Sequence, residues 1–106
     1  SNFHVGCCIR TEDGHLFTGT NVENISYPCT QCAEASAIGA MVTAGHKQIK
    51  EVLIIGSGDK PCTPCGNCRQ RLAEFSKPTT LFYICDKNGV RETIKLMDLL
   101  PHAFVF

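Results

Sequence analysis

Two short runs, Cys32-Ala-Glu34 and Pro64-Cys-Gly-Asn-Cys68, each place a cysteine where a segment begins to read as a helix. The first predicted helix runs from Cys32 to Gly45. Ala33, Ala35, Ala37, Ala40 and Met41 favour it, and Gly45 is a C-terminal stop. The second runs from Gly66 to Phe75. A helix N-terminus carries unpaired amide groups and the positive end of the macrodipole, and both favour a thiolate over a thiol. If Cys32, Cys65 and Cys68 serve one ion, two helix N-termini must converge, and that condition constrains the fold more than any propensity. Three thiolates suit zinc and leave one tetrahedral position for water. Glu34, two residues beyond the first of them, is placed to move protons to and from that water.

The remaining elements arrange themselves around these two helices. Phe3 to Arg10 reads as a strand, and Thr11-Glu-Asp-Gly14 as a hairpin turn. His15 to Val22 is the second strand, ending in the polar Asn21-Val-Glu-Asn24. Taken alone, those asparagines read as an ordinary turn. Cys7 and Cys8, inside the first strand, read as small buried hydrophobes. Ile25 to Gln31 is a loop broken by Pro28. Glu51 to Ser57 is a nearly continuous apolar run, the pattern of a strand covered on both faces. A loop at Gly58 to Pro64 precedes the second helix. Thr79 to Asp86 is another buried strand, Asn88-Gly89 a turn before a short strand, and Lys95 to Leu100 a helical turn closed by Pro101. Two helices between strands predict a partly parallel sheet with helices packed on it.

With 106 residues, the expectation is one domain, residues 1–106. Ten basic and ten acidic residues cancel, and no basic run stands out. That argues against a nucleic-acid surface built on phosphate neutralisation and in favour of a small neutral ligand. No apolar span is long enough for a membrane helix, and no signal peptide is visible. The expected partner is therefore a small molecule, without nucleic acid or membrane, and the expected location is the cytoplasm.

Eight cysteines leave other readings of the thiols open. A disulfide-stapled secreted domain is one, although C-x-x-C spacing suits metal better. Cys29, Cys32, Cys65 and Cys68 could close a four-cysteine structural zinc site. That site gives no reason for Glu34. Cys62, Cys65 and Cys68 resemble the start of an iron–sulfur run, but position 72 is Leu where a fourth cysteine belongs.

Taken together, the chain resembles the small, homotetrameric cytidine deaminases. The resemblance rests on ordered motifs: Ser1-Asn-Phe-His-Val-Gly6, Gly19-Thr-Asn-Val-Glu-Asn24 with Ser26-Tyr27, Cys32-Ala-Glu34, Pro64-Cys-Gly-Asn-Cys-Arg-Gln70 and Leu99-Leu-Pro-His-Ala-Phe104. It contains the C-x-E…P-C-x-x-C signature of zinc deaminases. The resemblance implies an α/β three-layer sandwich, with a mixed five-stranded sheet and helices on both faces. It implies one zinc per subunit on Cys32, Cys65 and Cys68, with Glu34 as catalytic proton shuttle. It implies that Asn21 and Glu23 bind the ribose and that Phe3 packs against the pyrimidine, with Ala33 also at the substrate. Tyr27 and Phe104 correspond to residues that approach a neighbouring subunit's site, and Gln70 to one that supports the metal ligands. The implied reaction is hydrolytic deamination of cytidine and 2′-deoxycytidine in pyrimidine salvage. A blasticidin S-type deaminase and a non-catalytic four-cysteine zinc module are the alternatives.

The chain departs from the family pattern in three places. Position 35 is Ala, where three-cysteine members usually carry an arginine that offsets thiolate charge. Arg69 and Arg71 are the nearby candidates to replace it. The chain begins at the first strand, whereas the family normally has a helix upstream. Cys29 and Cys62 are additional thiols beside the motifs, and Cys62 makes a second Pro-Cys-x-x-Cys register ending at Cys65.

Overall fold

The computed structural model describes residues 3–58 and 62–104. The strands are β1 (Val5–Thr11), β2 (Leu16–Thr20), β3 (Ile49–Gly56), β4 (Leu81–Asp86) and β5 (Gly89–Lys95). The helices are α1 (Ala33–Thr43), α2 (Gly66–Glu74) and the short α3 (Leu96–Leu99), with a single 3-10 turn at Tyr27–Cys29. The strands form one sheet in the order β2-β1-β3-β4-β5. β1 is antiparallel to both β2 and β3, β4 is antiparallel to β5, and β3 with β4 is parallel. The parallel pair is the one joined through α2, as a crossover requires.

The expected elements are present, with shifted ends. The second strand stops at Thr20, and only an isolated bridge, Val22 to Gln31, continues its line. Thr79 and Thr80 precede β4 as a turn whose Thr80 amide reaches back to the Lys77 carbonyl at 3.0 Å. Of the loop expected at Gly58 to Pro64, residues 59–61 lie outside the described residues.

One face of the sheet carries the core. Cys7, Ile9, Val52, Ile54, Phe82 and Ile84 bury their side chains against Ala33, Ala37, Ile38 and Met41 of α1 and Leu72 of α2. Burying each large aliphatic or aromatic side chain contributes roughly 1.5–3 kcal/mol. Small residues bring α1 close. A Cβ on Gly19 of β2 would overlap the Ala33 carbonyl oxygen and the Ala37 amide nitrogen. The two helices of the core therefore share a face. On the other, Leu53 and Ile55 remain 37% and 38% exposed, and Cys8, Arg10, Leu16, Glu51, Tyr83 and Val90 join Leu53 around a cavity of about 370 Å³. The apolar run of β3 predicts cover on both faces, yet the strand alternates buried and open positions. Among the described residues no helix forms a second layer there.

Candidate metal centre

Both cysteine-bearing helices begin in the same way. Cys32 is the N-cap of α1 and Cys65 the N-cap of α2, each in extended backbone with φ, ψ of −73°, 154° and −67°, 168°. Their carbonyls accept the first helical bonds, from Ser36 N–H at 3.1 Å and Arg69 N–H at 2.9 Å. An N-cap side chain leaves its helix at the amide-rich end. Here the cap side chains are thiols. The Sγ atoms of Cys32, Cys65 and Cys68 lie within 4.8 Å of one another. Sulfurs around a tetrahedral zinc, with Zn–S of about 2.3 Å, stand about 3.8 Å apart. The soft donor set and its spacing therefore fit zinc. Cys68, on the first turn of α2, is fully buried, Cys32 is half-buried and Cys65 is exposed, so the cluster opens to one side.

Without metal, the three thiols compete for protons. Burial pushes Cys68 up, and the Glu34 carboxylate and neighbouring Cys32 add to this. Burial raises Cys32 as well. Cys65 moves down despite partial burial, because the backbone amides of Cys68 and Asn67 and the neighbouring thiols hydrogen-bond its thiolate. The α2 N-terminus thus prepares one thiolate directly, and a cation would have to hold the other two.

Glu34 is only 4% exposed and sits in the first turn of α1. Burial raises its carboxyl pKa, opposed by its own backbone amide and the Cys68 thiol. It lines a cavity of about 250 Å³ together with Phe3, Asn21, Glu23, Cys32, Ala33, Cys62 and Cys65. The Val22–Gln31 bridge explains how the β2 end reaches this cavity. It fixes Val22 by two backbone bonds of 2.8 and 2.9 Å. Alternation along the extended chain then turns Asn21 and Glu23 to the side opposite Val22. The Asn21 carboxamide donates to the Phe3 carbonyl at 2.9 Å and to Glu23 at 3.3 Å, and accepts from the Val5 amide at 3.0 Å. Asn21 thus ties Phe3 and Glu23 to one wall.

The other expected residues lie outside this cavity. Tyr27 and Phe104 are 83% and 69% exposed. Gln70 donates to the Phe104 carbonyl at 3.5 Å. Arg69 does not directly replace the arginine that the family pattern places at position 35. Its guanidinium donates to the Pro64 carbonyl at 2.8 Å and the Leu99 carbonyl at 2.7 Å, holding the loop before α2 to the end of α3. Cys29 stands apart from the cluster, 3.7 Å from the Ser26 hydroxyl, which removes the four-cysteine arrangement. Cys62 lines the cavity without joining the cluster, so the Cys65–Cys68 register is the one brought together. Val5, Thr30, Gln31 and Thr63 also line the cavity, unforeseen from the sequence. Only their adjacency to the motifs could have pointed to them.

A buried glutamate stands beside three cysteines, two of them capping helices, and the family model for the cytidine and deoxycytidylate deaminase zinc-binding region matches residues 1–84. The chain belongs to the zinc-binding cytidine deaminase family. It is 41% identical to the cytidine deaminase of Mycoplasma genitalium over 98% of this chain and 80% of that one. The crystal structure of cytidine deaminase from Burkholderia pseudomallei superposes with a TM-score of 0.90 at 38% identity, over 97% of this chain and 83% of that one. A blasticidin-S deaminase from Bacillus cereus is more distant, at 27% identity over 92% of this chain and 74% of that one. As a member of the cytidine deaminase family the chain is a zinc-dependent enzyme, and its substrate is a small nucleoside. No helix among the described residues is long and apolar enough to cross a membrane.

Proposed function

We propose that residues 1–106 form one cytidine deaminase domain that hydrolyses cytidine and 2′-deoxycytidine to the uridines and ammonia, in pyrimidine salvage in the cytoplasm. The observation that carries this reading is the position of Glu34. Its carboxyl is buried at the three-cysteine cluster and faces the same cavity as Asn21, Glu23 and Phe3. Cys32, Cys65 and Cys68 would hold one zinc per subunit. When bound, the metal supplies a water molecule whose pKa is lowered to roughly 7 from about 15.7 in bulk.

The chain's own groups provide the rest of the chemistry. Glu34 takes a proton as the water attacks C4 and delivers it to the ring nitrogen N3. The C4 hydroxyl then gives its proton to Glu34, which passes it to the exocyclic amine as C4=O forms, the C4–N bond breaks and ammonia departs. Burial raises the pKa of this carboxyl, which suits a group that must hold a proton and release it. Phe3 packs on the pyrimidine, and Ala33 borders it at the start of α1. Asn21 and Glu23, held on one wall by their mutual bond, meet the ribose hydroxyls. Gln70 steadies the segment at Phe104. Tyr27 and Phe104, both exposed, are read as reaching the site of a neighbouring copy, with four subunits completing four pockets.

Turnover of cytidine, 2′-deoxycytidine and blasticidin S by zinc-replete protein tests this assignment. Both cytidines should be turned over, with blasticidin S the poor substrate. Preference for blasticidin S would overturn the ribose-binding role of Asn21 and Glu23.

A further inference from the structure

At the opposite end of α1 from the cysteines, three metal-ligating side chains meet. Asp13 and His15 flank Gly14 in the β1–β2 turn, and His46 follows Gly45 just beyond α1. Both glycines adopt left-handed backbone, φ 89° and 90°, which folds each segment back toward the other. The Asp13 carboxylate stands between two imidazoles. Its Oδ1 is 3.2 Å from His15 Nδ1 and its Oδ2 is 3.3 Å from His46 Nδ1. One ligand atom from each of the three lies within 4.8 Å of the other two.

We propose that Asp13, His15 and His46 form a second metal site, for a borderline divalent ion such as zinc, separate from the three-cysteine centre. Nitrogen and oxygen ligands at about 2.0–2.2 Å around a tetrahedral zinc stand about 3.3–3.5 Å apart, close to the separations observed here. Two imidazoles and one carboxylate favour zinc, nickel or copper over magnesium or calcium. Each neutral imidazole can carry its proton on Nε2 and present Nδ1 to the ion. The cluster is also held in place. Thr11 Oγ1 donates to Asp13 Oδ1, the His15 amide donates to Thr11 Oγ1 at 3.0 Å, and the His46 ring lies 5.4 Å from that of Phe17 and 4.4 Å from that of His15. Beside it is a cavity of about 270 Å³, lined by Thr11, Glu12, Asp13, His46 and Lys47 among others, with space for water as remaining ligands. Glu12 is engaged by Lys77 at 3.8 Å. The ion would clamp the hairpin turn to the end of α1.

Zinc content measured by equilibrium dialysis of the whole chain at micromolar free zinc tests this proposal. It predicts a second equivalent per chain beyond the cysteine-bound one. The second equivalent should be lost in His15→Ala and His46→Gln, and weakened at least about tenfold in Asp13→Asn, while cytidine turnover by each variant is retained and shows that it has folded. One zinc in the wild type would overturn the proposal. So would a second zinc that survives His15→Ala and His46→Gln but disappears in Cys62→Ser.

Discussion

Cys32, Cys65 and Cys68 differ from the other cysteines in where they stand on their helices. Two are N-caps and the third lies one turn in, so all three face the amide-rich ends of α1 and α2. Cys7 is buried behind them, and burial raises its thiol pKa. Cys68→Ser should therefore lose the catalytic zinc, whereas Cys29→Ser and Cys62→Ser should retain it, as read by zinc content per chain. The grouping of Cys32, Cys65 and Cys68 was legible because it depends on spacing and helix starts. The bonding of Asn21 was not, since its partners Phe3 and Val5 lie just before and at the start of β1, far from it in sequence. The unusual Ala35 gives a second prediction. Three thiolates give bound zinc a formal net negative charge, and Arg69 is held by backbone carbonyls. Ala35→Arg should raise turnover or shift the acid limb of the pH–rate profile to lower pH, because a cation nearby favours ionised water. An unchanged rate and profile would count against this.

At the level of elements, α1 must lie close against β2 for its N-terminus to meet that of α2. Gly19 permits this contact, and the two nearest atoms that a new Cβ would meet, the Ala33 carbonyl oxygen and the Ala37 amide nitrogen, are backbone, which cannot rotate away. Gly19→Ala should destabilise the fold by about 1–3 kcal/mol in denaturant melts and reduce turnover by displacing Cys32 and Glu34. On the far side of the sheet, Asp86 accepts from Arg91 Nε at 2.6 Å and from the Asn88 amide at 2.8 Å, clasping the β4–β5 turn. The Arg91 bond holds its carboxyl below the usual range. A depressed carboxylate stabilises the fold above its unfolded pKa of about 3.9, and that contribution is lost as pH falls through the folded value. Asp86→Asn should therefore lower stability at neutral pH and flatten its decline below about pH 4, seen in melts across pH. Element types and order were legible from apolar runs and turn pairs. The end of β2 was not, because the Val22–Gln31 bridge is a long-range pairing that local pattern does not encode.

For the whole molecule, the sheet has one face filled by α1 and α2 and another where Leu53 and Ile55 stay partly open. The apolar run in β3 correctly marked a strand, but composition alone could not say what covers each side. Tyr27 and Phe104 are exposed, and in the proposed function they reach the pocket of a neighbouring copy. Sedimentation of zinc-replete protein should then give a tetramer. Tyr27→Ala should raise KM for cytidine severalfold while zinc content is unchanged.

The most direct test compares loss of cytidine absorbance by wild type and Glu34→Gln, with zinc measured in both. Glu34→Gln should bind zinc as the wild type does and lose at least roughly 10³-fold in turnover, within the range expected for removal of a positioned acid–base group. Substantial turnover by Glu34→Gln, or none by zinc-replete wild type, would contradict the assignment of this site.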